Sequence, residues 1–215
     1  LIEAFWRQTG FNPTAAQTKV LDQIMSDLSC GRAMRRLVQG DVGSGKTAIA
    51  LAASCLTAKA GHQTALMAPT EILARQHLES ARLLLEPLGI RCGLLLGGMK
   101  AADRREAVRQ ISSGEWDLVI GTQALFSEGI EYKDLALVIT DEQHRFGVRQ
   151  RKKLSEKTMD GQDAHVLVMS ATPIPRTLAL MLYGDLDISV VDELPPGRTP
   201  VKTRVVSEKK REDMY

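Results

Sequence analysis

Short apolar runs followed by Gly- or Pro-bearing turns and then by helical patterns recur along this chain, and that alternation leaves few architectures open. The strand-like runs fall at residues 36–39, 64–68, 91–96, 117–120, 135–140 and 165–169. A first helix is predicted over 15–28, where Val20, Leu21, Ile24 and Leu28 share one face. Further helical patterns cover 46–59, 71–85, 102–112, 147–156 and 176–183. Strands joined through helices pair in parallel, because a crossover needs that length, and right-handed crossovers distribute the helices over the sheet. The expectation is an α/β domain with a mostly parallel, doubly wound sheet and helices on both faces. In such sheets ligands bind beyond the carboxyl ends of the strands, so the residues just after each apolar run carry the functional information.

Composition agrees with one sizeable core. The chain has 215 residues, 44% of them hydrophobic and 25% charged, ordinary values for a globular domain. No apolar run approaches the roughly 20 residues that cross a bilayer, and neither a signal peptide nor a basic targeting arm opens the sequence. Cys30, Cys55 and Cys92 are scattered without a C-x-x-C pair, and the four histidines make no H-E-x-x-H pattern. Neither a disulfide framework nor a structural zinc site is expected, and a reducing cytosol is. Net charge is only +2, from 28 basic and 26 acidic residues, so any nucleic-acid surface must be a local patch. The sequence starts at Leu1 and stops at Tyr215 inside a charged, helix-like segment, which reads as a piece of a longer protein. Periodicity breaks at Pro195-Pro196-Gly197-Arg198-Thr199-Pro200. We therefore expect one lobe over 1–194, an extended linker over 195–201, and the beginning of another domain over 202–215.

Gly40-Asp41-Val42-Gly43-Ser44-Gly45-Lys46-Thr47 fits G-x-x-x-x-G-K-[ST] completely, after an apolar run and before a helical one. Glycines let successive backbone N–H groups of this loop face one anion, and the following helix adds its positive end. Gly40, Gly43, Ser44, Gly45, Lys46 and Thr47 are the candidate nucleotide-binding residues, with Lys46 on the β- and γ-phosphates and the Thr47 hydroxyl on magnesium. The competing reading is a Gly-rich turn that holds nothing.

The run at 135–140 delivers Asp141-Glu142-Gln143-His144 at its end. Side chains of neighbouring residues on an extended chain diverge, so Asp141 can face a metal while Glu142 faces the attacking water. Taken alone such an acidic pair is a solvated loop start; beside a phosphate loop it becomes a candidate catalytic pair.

These stretches resemble the DExH box of superfamily 2 helicases, and other segments follow in that family's order. They are Ala68-Pro69-Thr70-Glu71, Gly97-Gly98, Gly121-Thr122-Gln123-Ala124-Leu125 and Ser170-Ala171-Thr172. Asp141 to Val148 with Gln150-Arg151, and Ala171 to Leu178, are similar to the RecG-type branched-DNA helicases and to the motor of the transcription-repair coupling factor. Gly184-Asp185-Leu186-Asp187 and the segment from Asp192 to Pro200 look more like the RecG type.

The resemblance implies a RecA-like P-loop lobe that binds ATP and Mg2+ and works on stalled replication forks and Holliday junctions. It makes Lys46, Asp141, Glu142 and His144 catalytic, and Thr47 and Asp141 metal ligands. It has Gln17 read the adenine edge and Phe11 stack on the base. It places DNA against Pro69, Thr70, Glu71, Gly97, Gly98, Gly121 and Thr122, and gives coupling to Gln143, His144, Ser170, Ala171 and Thr172. It also implies a second motor lobe carrying an arginine finger, an amino-terminal wedge domain, and a bacterial, nucleoid-associated cytoplasmic setting. Read without the family, the same residues also admit a P-loop kinase or small-molecule ATPase, or a non-catalytic nucleotide switch. The arginine and lysine clusters at 104–109, 145–153 and 209–211 are then ordinary solvated helix faces. At 4% aromatic, base stacking is not the expected mode of gripping DNA.

Overall fold

The structure is a computed structural model, and residues 1–141, 163–172 and 186–193 are described. The elements in chain order are α1 (Ile2–Thr9), α2 (Ala15–Ser29), β1 (Arg35–Gly40), α3 (Lys46–Lys59), β2 (Gln63–Met67), α4 (Glu71–Leu85) and β3 (Cys92–Leu95). They continue as α5 (Ala101–Ser113), β4 (Leu118–Gly121), β5 (Leu135–Asp141), β6 (His165–Ser170) and β7 (Asp187–Val191). The strands form one seven-stranded sheet in the order β3-β4-β2-β5-β6-β1-β7, and every pairing in it is parallel. The doubly wound sheet expected from the alternation is therefore present, with α1 and β7 added to the elements foreseen. The helices expected over 147–156 and 176–183, the linker and the start of another domain lie outside the described residues.

Alternation along the strands sorts the core into layers. Val38, Leu66, Ile120, Ile139 and Met169 join Phe5, Val20, Ile24, Ile49, Ala74 and Ala81 on one face, beneath α1 to α4. Ala65, Leu95, Val119 and Val138 face the other way, against Ala107 and Ile111 of α5 and against Phe126 and Tyr132. Leu37 and Val168 continue that second face toward β7. α3 packs between α2 and α4, and its buried residues run round most of its circumference, Ile49 to Cys55 without a break. A helix apolar on all sides is an interior helix, and its alanines let the neighbours approach closely. Its first turn carries Lys46, which is itself buried.

Two polar anchors tie elements together. Thr14 caps α2 through a full capping box with Gln17, which satisfies two N–H groups the helix start would otherwise orphan. Arg36 is 7% exposed and joins β1 to Asp27 on α2 at 2.6 Å and to the Ser189 hydroxyl on β7 at 2.8 Å. A guanidinium supplies a rigid fork of donors, so one side chain links three elements.

Candidate nucleotide and DNA site

Strand register decides which motifs can meet. Asp141 pairs with Met169, and Met169 with Val38, so these three form one row across β5, β6 and β1. The next row pairs Gln39 with Ser170. Gly40 and Asp141 thus end strands separated by β6 alone, a gap of about 9–10 Å at two strand spacings. The phosphate loop and the acidic residue share one sheet edge, and Ser170 ends the strand between them.

The loop's own conformation is that of a cradle. Gly43 and Gly45 have φ of 79° and 88°, left-handed values that side chains with a Cβ resist, and α3 begins directly after Gly45. The Lys46 ammonium donates to the carbonyls of Gly40 at 2.6 Å and Asp41 at 2.9 Å. Ser44 is 1% exposed, and its hydroxyl has no hydrogen-bond partner among the described residues. A buried donor without an acceptor is costly in a finished protein. Together with backbone room that only glycine leaves, it fits a loop built to receive an anion. Thr47, the first residue after Lys46 on α3, is half-buried.

Gln17 is held inside the protein. It is 1% exposed; its amide donates to the Ser44 carbonyl at 2.8 Å and accepts from the Thr14 N–H at 3.0 Å. A Cβ on Gly45 would lie 2.2 Å from the Gln17 amide nitrogen. The side chain is a strut between the cap of α2 and the phosphate loop. Phe11 is 44% exposed and leans on Trp6 with ring centroids 5.9 Å apart. A cleft of about 260 Å³ opens next to the loop, lined by Gln39, Gly40, Asp41, Ala171, Val191 and Glu193 among others. Glu193 also accepts from the Ala16 N–H at 3.1 Å and so holds the start of α2. A larger cleft of about 420 Å³ lies at the opposite edge of the sheet, by Met25, His62, Asp134 and His165, away from all the motifs.

The other half of the edge carries the expected DNA residues. β2, β3 and β4 are neighbours, and Pro69-Thr70-Glu71, Gly97-Gly98 and Gly121-Thr122 follow or end them. The Thr70 hydroxyl caps α4 by accepting from Leu73 N–H at 3.3 Å, and Glu71 accepts from the Gly98 N–H at 3.3 Å. Gly121 lies in register with both Met67 and Leu95, and a Cβ there would sit 2.1 Å from the Leu95 carbonyl. Glycine is what lets this strand end close against β3. The Ser170 hydroxyl meets the Thr172 hydroxyl at 3.0 Å and accepts from its N–H at 3.2 Å, folding that motif onto itself with Ala171 at the bend. Glu142, Gln143 and His144 lie outside the described residues.

One contact was not anticipated. His77 Nε2 and Asp141 Oδ2 are 2.7 Å apart, with both side chains largely buried at 9% and 14% exposure. The available signal was a histidine among Ala74, Leu78, Ala81 and Leu85 on the buried face of α4.

Comparison with known proteins identifies the family and the fold. The model of the DEAD/DEAH box helicase family matches residues 14–181. The chain is 52% identical to the ATP-dependent DNA helicase RecG of Haemophilus influenzae over 215 residues. It is 51% identical to RecG of Acidithiobacillus ferridurans over 212 residues. It covers 100% and 99% of itself in these matches, and spans 31% of the length of each relative. A solved structure of RecG bound to a three-way DNA junction superposes with a TM-score of 0.84 at 40% identity, over 99% of this chain and 28% of that one. A Sulfolobus tokodaii protein described as a hypothetical ATP-dependent RNA helicase shares the fold at TM-score 0.63 and 22% identity, covering 89% of this chain and 56% of that one. With its phosphate loop and acidic strand end on one sheet edge, this chain belongs to the DEAD/DEAH box helicase family.

Proposed function

We propose that this chain is the first motor lobe of a RecG-type helicase, binding ATP with Mg2+ and coupling its hydrolysis to the remodelling of stalled forks and Holliday junctions. The observation that carries the reading is the division of one sheet edge. The β1, β6 and β5 ends bear the phosphate loop, Ser170 and Asp141, while the β2, β4 and β3 ends bear the segments expected to face DNA. A lobe so divided can feel both ligands through a single rigid sheet.

In this reading ATP supplies the phosphoryl bond whose cleavage drives the motor, and Mg2+ offsets its charge. Lys46 exchanges the Gly40 and Asp41 carbonyls for phosphate oxygens. Thr47 and Asp141 hold the metal, and Glu142, next in sequence, orients the attacking water. Gln17 keeps the loop in shape, and Phe11 offers its exposed ring for the base. Backbone groups and hydroxyls at Thr70, Gly98 and Thr122 meet DNA phosphates, which sets position rather than sequence. The lobe works with a second motor lobe, which supplies an arginine finger, and with a wedge domain, in a bacterial cytoplasm near the nucleoid.

The test is ATP turnover by the full-length protein with and without three-way junction DNA. Turnover should rise with the junction, fall to background in Lys46→Ala and Glu142→Gln, and lose its stimulation steeply as salt increases. This lobe alone should turn over ATP about 10³-fold or more slowly, for want of the finger. Robust DNA-stimulated turnover by this chain alone would overturn the division of labour.

A further inference from the structure

We infer that His77 is a positioning residue that fixes the metal-binding carboxylate of Asp141 and ties it to the DNA-facing end of α4; this rests on the function proposed above. An ionised carboxylate only accepts, so the 2.7 Å contact requires a hydrogen on His77 Nε2 and has it donate to Asp141 Oδ2. One carboxylate oxygen is thereby committed, and Oδ1, which has no hydrogen-bond partner among the described residues, is left for a cation or its water. Carboxylates that ligate metals are commonly held in this way, and losing the holder costs about 10–100-fold in metal affinity.

The partner's location gives the contact a second consequence. Asp141 ends β5 on the nucleotide half of the edge, whereas His77 belongs to α4, which starts at the end of β2. The α4 N-terminus is tied by the Thr70 cap and by Glu71 to Gly98, two of the segments expected to face DNA. His77 lies seven residues beyond Thr70, about 10 Å along the axis at 1.5 Å per residue. The helix is a rigid rod over that distance, seated on the core through Ala74, Leu78 and Ala81. A shift of its first turn therefore moves the His77 donor relative to the carboxylate. Through this contact, occupancy of the DNA end is felt as a change in cation affinity.

The test uses the full-length protein and Mn2+ in place of Mg2+, with a non-hydrolysable ATP analogue. Electron paramagnetic resonance measures free Mn2+ with and without three-way junction DNA. Two variants separate reach from polarity: His77→Gln places an amide donor near the Nε2 position, and His77→Asn draws it back. Asn should weaken Mn2+ binding about tenfold and abolish the response of Mn2+ affinity to DNA. Gln, which keeps the donor, should escape that loss and bind Mn2+ like the parent. Metal-free nucleotide binding and nucleotide-free DNA binding should be unchanged in both. Equal Mn2+ affinities for Gln and Asn, whether both normal or both reduced together with melting temperature, would overturn the inference. A parent protein that binds no Mn2+–nucleotide would instead sink the proposed function, and this inference with it.

Discussion

Removing the Gln17 amide tests how the phosphate loop is held. In Gln17→Ala the Ser44 carbonyl loses its donor and the Thr14 N–H loses its acceptor, while the Thr14 hydroxyl keeps its bond to the residue 17 N–H. The lost Thr14 hydrogen bond is worth about 1 kcal/mol net, and the buried Ser44 carbonyl left unpaired costs about 1–3 kcal/mol. The sum is about 2–4 kcal/mol, or a melting temperature lower by roughly 5–15 °C for a domain of this size. Urea unfolding with an unchanged slope would report it. Gly45→Ala strikes the same contact, because its methyl would lie 2.2 Å from the Gln17 amide nitrogen at a φ of 88°. Combined with Gln17→Ala the collision disappears and only the left-handed penalty of about 1–2 kcal/mol remains. The double variant should therefore lose at least about 1 kcal/mol less than the two single losses added. A Gln17→Ala change below about 0.5 kcal/mol, the size of an ordinary surface substitution, would refute the strut.

Three further outcomes follow from the packing. Gly121→Ala puts a Cβ 2.1 Å from the Leu95 carbonyl, so β3 and β4 must part, and unfolding should show a loss above about 3 kcal/mol or no soluble protein. His165 is held below its usual value of 6.5, by burial first, and its Nδ1 accepts from the Met34 N–H at 2.9 Å. Below pH 6.5 the unfolded chain takes up a proton that the folded histidine refuses. That contribution to stability is present above pH 6.5 and is lost as pH falls through the lowered folded value. Urea midpoints at about pH 5 and pH 7.5 should differ less in His165→Asn than in the parent. Cys30 is exposed while Cys55 and Cys92 are buried, and burial raises both buried thiols, Cys92 to about 12. A thiol reagent at neutral pH should label one cysteine in the folded chain and all three in denaturant.

Local chemistry was the legible part of the fold. α3 and α4 begin and end where the sequence placed them, because a Gly-rich loop and a Thr cap mark their starts and apolar spacing runs their length. The central strands shift by a residue at most of their ends. α1 was missed because eight residues give too few turns for a period, although Phe5 and Trp6 anchor it. β7 was missed because an edge strand with an exposed Val190, lying just before a proline run, looks like tail. In the candidate site the loop and Asp141 could be read from spacing. The engagement of Gln17 with Ser44 and of His77 with Asp141 could not, since each partner lies 27 or 64 residues away and only the folded chain brings them together.

A crystal structure of this chain with Mn2+ and a non-hydrolysable ATP analogue would reach the central claim most directly. One anomalous peak should lie between the Thr47 hydroxyl and the Asp141 carboxylate, bonded directly or through a single water, with the analogue's β-phosphate inside the 40–47 loop and Lys46 released from Gly40 and Asp41. A triphosphate bound elsewhere, or a metal that approaches the loop without Asp141, would contradict it.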